Sequence, residues 1–224
     1  MSTEEQHEGG TAEQSVAQFY DKNKNNILIA GVAIMLLAIG IYYYNNNYKP
    51  QLEQDASESF FMAERYFSID SLEKALDGDG TNLGMLDIAD EYGSTRVGQQ
   101  AKYYVGRILL EQGKYDEALD YLKDSDMDDE FMGAQLITLQ GDCLSELDKY
   151  SEAADKYMKA ANARENRLTT PYALQKAGLA YEEAGGYSES IEAYTRLSEK
   201  YSDTRFAEDV EVRIGRVKAK MAHK

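Results

Sequence analysis

Cysteine, proline, tryptophan and histidine are nearly missing from this 224-residue chain, which has 1 Cys, 2 Pro, no Trp and 2 His. The single Cys143 excludes an intramolecular disulfide framework and any multi-thiol metal site. His7 and His223 lie near the two ends of the sequence, so no histidine-based triad or zinc cluster can be assembled from the residues between them. Average usage of ~5% would give about 11 prolines, and their scarcity favours a chain built almost entirely of helices. Basic residues are also in deficit, 24 against 40 acidic, for a formal net charge of −16. A nucleic-acid partner would require a basic footprint to displace counterions, so none is expected.

What is present is unevenly distributed. From Ile27 to Tyr44 the sequence reads ILIAGVAIMLLAIGIYYY, 18 residues without a charge. A helix of that length rises about 27 Å at ~1.5 Å per residue, close to the ~30 Å hydrocarbon core of a bilayer. Nine of these residues are Ile, Leu or Val, and Tyr42, Tyr43 and Tyr44 suit the headgroup level. The run therefore predicts a transmembrane helix over 27–44. A cleaved signal peptide is disfavoured because acidic residues precede the run and Tyr and Asn, rather than a small-x-small site, follow it. Residues 1–26, polar and acidic, read as a disordered tail. Lys22 and Lys24 precede the span and Lys49 follows it, a margin of one charge that favours a cytoplasmic N-terminus and places the remainder outside the cytoplasm.

Internal repetition is the strongest signal beyond the span. YVGRILLEQGKYDEALDYL from Tyr104, LQGDCLSELDKYSEAADKY from Leu139 and KAGLAYEEAGGYSESIEAY from Lys176 align without gaps. Gly106, Gly141 and Gly178 recur at spacings of 35 and 37, as do Tyr115, Tyr150 and Tyr187, with Ala118, Ala153 and Ser190 at the next small position. The glycines are expected where the two helices of a copy approach closely, and the small residues opposite them serve the same purpose. One such pair cannot bury its apolar face alone, so the copies must stack. The expected organisation is three repeats over 99–204, an irregular leading helical pair over 51–98 and a capping helix over 205–224. Ala56, Phe60, Ala63 and Phe67 form the leading stripe; Phe206, Val210, Ile214 and Val217 form the closing one. DEYGST from Asp90 is echoed by EKYSDT from Glu199, marking two places where a second helix ends.

Motifs for chemistry do not hold together. DSDMDDE from Asp124 places Asp124, Asp126 and Asp128 like the start of a calcium loop, but Asp129 replaces the required glycine and Gln135 stands at the twelfth position. Asp77-Gly78-Asp79-Gly80 reads as a flexible turn, and Cys143, lying among small residues without a histidine to activate it, reads as a packed thiol. No catalytic residue, cofactor site or metal site is expected. The chain reads as a non-catalytic protein.

The period and the Gly–Tyr–small pattern resemble the tetratricopeptide repeat, a helix–turn–helix of about 34 residues. Lys102 and Leu174 depart from it, standing where the family usually has Trp. The resemblance implies an all-α right-handed superhelix whose first helices line a concave groove. By alignment, the groove residues are Tyr103 and Arg107, Thr138 and Asp142, and Gln175 and Leu179. The subfamily that grips a peptide carboxylate places Lys, Asn and Arg there, whereas this sequence offers Arg107 alone. A partner segment and a solvated inner face without a ligand both remain open readings of that surface.

A more specific likeness covers essentially the whole chain. The acidic leading segment, the single span, the block EYGST.VGQQAKYYVGRILLEQGKYDEAL and the closing KYSDTRFAEDVEVRIGR resemble YfgM-type ancillary subunits of the Sec translocon, in a Bacteroidota-like form, most specifically over Ile88–Leu122. The resemblance implies a single-pass protein of the cell inner membrane with a periplasmic repeat domain. Its implied partners are the SecYEG channel, a membrane-anchored periplasmic chaperone of the PpiD type and emerging secreted chains. A general cell-envelope adaptor serving outer-membrane or cell-wall machinery through the same groove is the alternative.

Overall fold

The computed structural model describes residues 8–127 and 129–223, and every regular element among them is helical. His7 and Asp128 lie outside the described residues. The chain divides into two compact units, Met1–Leu52 and Glu53–Lys224.

The first unit is dominated by α1 (Glu8–Tyr43), continued by a π-helical segment at Tyr44–Tyr48. The described part of the expected disordered tail is thus helical from Glu8 onward, and residues 1–7 lie outside the described residues. The physical reason is that helix nucleation, the costly step, is already supplied by the apolar run, and helix-tolerant residues such as Ala17 and Gln18 extend it without meeting a proline. The wider register at Tyr44–Tyr48 coincides with three asparagines: the Asn46 and Asn47 side-chain amides donate to the carbonyls of Tyr42 and Tyr43 at 2.9 and 3.5 Å. Such side-chain bonds to i−4 carbonyls compete with the regular helical ladder. Ile29, Ile34, Leu36 and Leu37 are all exposed. The stretch is long and apolar enough to cross a membrane, a property shared by an anchor and by a signal sequence.

The second unit is a stack of helical pairs. Its leading part comprises α2 (Lys49–Ser68) from Glu53 onward, which buries Ala56, Phe60 and Ala63, and the two short helices α3 (Leu72–Asp77) and α4 (Met85–Glu91). Phe60 and Phe67 of α2 pack on the Tyr104 ring, with centroids 5.7 and 4.8 Å away. The 77–80 turn is tied by side-chain hydrogen bonds. Gly78 and Gly80 take positive φ, and the Asp79 carboxylate accepts from the Asn82 and Thr81 backbone N–H groups and from the Tyr66 hydroxyl at 2.7–2.8 Å. These bonds, the Asn82 backbone donor foremost, hold Asp79 well below the usual carboxylate range.

Three pairs follow: α5 (Arg96–Glu111) with α6 (Tyr115–Asp124), α7 (Glu130–Glu146) with α8 (Tyr150–Ala163), and α9 (Thr169–Ala184) with α10 (Tyr187–Lys200). Each helix packs on the next, and α10 packs on α11 (Val210–Ala222). The repeated glycines explain how the pairs close. A Cβ placed on Gly106 would lie 2.4 Å from Leu122, one on Gly141 would lie 2.6 Å from the Tyr157 ring, and one on Gly178 would lie 2.4 Å from the Tyr194 ring. All three distances are far inside van der Waals contact, so each glycine is a notch that receives a side chain from the second helix of its own pair. Ala118, Ala153 and Ser190 are fully buried beside these notches, and the Ser190 hydroxyl donates to the Gly178 carbonyl at 2.7 Å.

The echoed motifs end helices in the same way. Thr95 and Thr204 donate hydroxyl protons to the carbonyls of Tyr92 and Tyr201, each at 2.7 Å, and their backbone N–H groups reach the same carbonyls. The closing stretch is not one helix from Arg205. It makes a 3-10 turn at Arg205–Ala207 before α11 begins at Val210. Across the break, Phe206 lies against Tyr172 (centroids 5.4 Å apart) and packs on the core that Val210, Ile214 and Val217 enter around Tyr194 and Leu197.

Candidate protein-binding groove

The first helices of the three pairs are each fixed at their start by a side-chain oxygen. Thr95 accepts from the Gly98 N–H at 2.9 Å, Asp129 accepts from Phe131 and Met132 at 2.8 and 2.9 Å, and Asn166 accepts from Leu168 and Thr169 at 2.8 Å each. Capping of this kind satisfies otherwise orphaned donors and sets where each helix begins. At α7 the backbone donors of Met132 and Phe131 also lower the Asp129 carboxyl below its ordinary value.

Between these helices lies an open cleft of about 440 Å³. Of the six positions expected on the groove, Tyr103 and Arg107 of α5 and Thr138 and Asp142 of α7 line it together. Gln175 does not. Its side-chain amide donates to the Phe206 carbonyl at 3.1 Å, so it braces the 3-10 turn from behind. Leu179 also lies elsewhere, in a smaller hollow of about 110 Å³ shared with Tyr157 and Lys176 and packed against the C-terminal core.

In place of those two residues, the wall is completed by Tyr172 of α9 and by Arg205 and Phe206 of the turn. Phe131, Gln135 and Leu139 extend the α7 wall, and Leu168 and Thr169 form its edge at the start of α9. The α7 set was available from sequence, since Gln135, Thr138, Leu139 and Asp142 stand at i, i+3, i+4 and i+7 on one helical face. Arg205 and Phe206 carried no such signal, because they lie outside the repeat period.

The polar groups of the cleft differ in how fully they are used. The Tyr103 hydroxyl donates to Gln135 Oε1 at 3.0 Å, and burial raises the Tyr103 phenol. Asp142 accepts from the Tyr157 hydroxyl at 2.6 Å and from Lys176 Nζ at 2.9 Å. Burial works to lower the Lys176 ammonium, but the Asp142 carboxylate outweighs it and the net direction is upward. The same lysine sits 5.6 and 5.2 Å from the ring centroids of Tyr157 and Tyr172. Arg107 stacks 5.0 Å from the Phe67 ring centroid and 5.9 Å from that of Tyr103; Arg205 lies 4.8 Å from that of Phe206.

These groups offer contacts and no reaction centre. Cys143, one residue from the cleft, is buried, and desolvation followed by the nearby Asp142 charge pushes its thiol up to about 12, so thiolate is scarce at neutral pH. Among the described residues, no group of three or more His, Cys, Asp or Glu side chains is arranged to hold a metal ion.

Comparison with known proteins agrees with the repeat fold. Residues 85–177 match the model of a tetratricopeptide repeat-like domain, and residues 172–204 match that of a tetratricopeptide repeat. Among solved structures, the crystal structure of YrrB, described as a TPR protein with an unusual peptide-binding site, is similar at a TM-score of 0.56 and 18% identity. The match covers 82% of this chain and 84% of YrrB, and at that identity it speaks for the fold. No curated protein matches the sequence. The chain therefore carries a tetratricopeptide-repeat domain, a non-catalytic scaffold whose groove suits protein–protein interaction.

Proposed function

We propose that this protein is a membrane-anchored adaptor of the Sec translocon, docking channel subunits and a PpiD-type chaperone through its repeat domain to assist protein export. The observation that carries the adaptor reading is the cleft itself, shared by the first helices of three repeats and walled by aromatic, aliphatic and guanidinium groups. YrrB, of the same fold, is described as binding peptide, a precedent for such a groove. The Sec assignment rests on the likeness of Ile88–Leu122 and of the closing segment to YfgM-type subunits. In this reading, residues 27–44 are a permanent anchor in the inner membrane. The single-charge excess before the span puts the N-terminus in the cytoplasm and the repeats in the periplasm.

Affinity purification of the tagged full chain after mild crosslinking in native membranes tests location and partner together. The expected result is recovery of channel subunits and of the chaperone. Recovery dominated by outer-membrane or cell-wall assembly components would select the general envelope adaptor instead. Protease treatment of intact spheroplasts checks sidedness: a periplasmic repeat domain is digested, whereas a protected one reverses the proposed topology.

A further inference from the structure

Charge is distributed unequally between the cleft and the rest of the domain. Residues 51–224 hold 21 basic and 35 acidic residues, so the domain surface repels an anionic partner at long range. Arg107, Arg205 and Asp142 are the charged residues lining the cleft. Asp142 is matched by Lys176 at 2.9 Å and by the Tyr157 hydroxyl at 2.6 Å. Neither arginine has an ion-pair partner among the described residues, and each lies against aromatic rings instead. Stacking occupies a guanidinium's face and leaves its N–H edge for hydrogen bonds; Arg107 meets the Tyr103 hydroxyl there, and its remaining donors, like those of Arg205, can take a carboxylate. The uncompensated charge of the cleft is therefore positive within an acidic domain. The rest of the lining mixes hydroxyl and amide groups with apolar side chains, of which Phe131 is 42% and Leu168 62% exposed.

The geometry points to an extended acidic protein segment, its carboxylates interleaved with apolar side chains, as the occupant of this cleft, with Arg107 and Arg205 as its two anchors. The inference rests on the adaptor reading above and narrows it to one class of partner. In an extended segment, alternate side chains face the same way, so carboxylates can meet the guanidiniums while apolar neighbours reach Phe131, Leu168 and Phe206. A basic segment would be attracted to the acidic surface at large but would meet like charge in the cleft itself.

The test uses the full chain in detergent micelles and three fluorescein-labelled peptides of about eight residues, roughly 27 Å when extended. The peptides share the same apolar residues and differ only in whether Glu, Gln or Lys alternates with them. The Glu peptide is expected to bind about tenfold more tightly than the Gln peptide by fluorescence anisotropy. The R107Q/R205Q variant is expected to lose that preference while still binding the Gln peptide. Because Arg205 is exposed, R205Q alone keeps the test available should the double variant not fold, and it should narrow the preference measurably. Equal binding of the Glu and Gln peptides, or tightest binding of the Lys peptide, overturns the acidic-segment assignment and leaves the docking cleft standing. Absence of binding by all three overturns both.

Discussion

The joint between the first and second repeats and the joint between the third repeat and the capping helix are built from different chemistry. The first is built of hydrogen bonds, the Tyr115 hydroxyl against the Glu146 carboxylate among them. Tyr103 donates to Gln135 at 3.0 Å, the Gln140 side chain donates to the Leu122 carbonyl at 2.8 Å, and no ion pair links the two repeats among the described residues. The last is ionic: Arg216 binds both oxygens of Glu182 at 2.9 and 2.6 Å, and Lys220 adds a contact at 2.8 Å. Between them, the joint of repeats two and three combines the Asp142–Lys176 pair with the Glu165 carboxylate of the connecting loop, which meets Arg196 at 2.6 Å and Lys200 at 3.6 Å. In a stack where each repeat touches only its neighbours, stability is a sum of repeat and joint contributions. The capping helix buries only Val210, Ile214 and Val217, so charge supplements a small apolar contact where the stack ends. The first joint, in contrast, sets α5 and α6 against α7, and α5 and α7 both line the cleft. We expect it to be the more adjustable one.

The largest effect should come from stripping the cations from Glu182. Its side chain is 1% exposed, so R216Q/K220Q leaves a buried carboxylate unpaired and should cost about 3–5 kcal/mol, read in urea unfolding. Hydrogen exchange should show that loss concentrated in α11. Loss spread evenly through all three repeats would break the contrast between the joints.

The same group makes the last joint acid-sensitive. Burial pushes the Glu182 carboxyl up, but Arg216 and Lys220 outweigh it and hold it below its ordinary value of 4.5. A carboxyl lowered on folding contributes stability that is fully present above 4.5 and lost as pH falls through its folded-state value. An acid titration followed by exchange should therefore release α11 before α5. The Asp142–Lys176 joint behaves oppositely. The lysine is raised from 10.5, so its contribution is complete below 10.5 and lost only as pH rises through the folded-state value.

At that middle joint, D142N removes the charged partner of Lys176 and should cost about 2 kcal/mol in the same unfolding measurement. At the first joint, Y103F deletes the hydroxyl that donates to Gln135 and faces Arg107, and should cost only about 1 kcal/mol. A Y103F penalty equal to that of R216Q/K220Q would erase the ordering.

The repeat skeleton could be read from sequence because its small residues answer a strict steric demand. Gly106, Gly141 and Gly178 must be notches, and the notch-filling residue stands sixteen positions later in every copy, as Leu122, Tyr157 and Tyr194. That second regularity was hidden by the change from Leu to Tyr, since the position requires bulk rather than one residue type. The Tyr–x–x–Thr helix ends were equally visible, because a threonine hydroxyl and backbone N–H returning to one carbonyl is a local device. The cleft could be read only where repeat register decides it. Tyr103, Arg107, Thr138 and Asp142 follow that register, whereas Gln175 is claimed by the Phe206 carbonyl and Leu179 by apolar packing. Arg205 and Phe206 enter through a break between the last repeat and the cap, a non-local event that no period encodes. The start of α1 at Glu8 is non-local in a related way: composition reports local polarity, whereas helix continuation depends on the neighbouring nucleus.

The central claim is that the cleft is where partners dock. Site-specific photocrosslinking in native membranes tests it directly, with a photoreactive phenylalanine analogue placed either at Phe131 in the cleft wall or at the exposed Glu152 on α8. The account predicts adducts with a channel subunit or the chaperone from position 131 and none from position 152. The same adducts from position 152 with none from position 131 would contradict it.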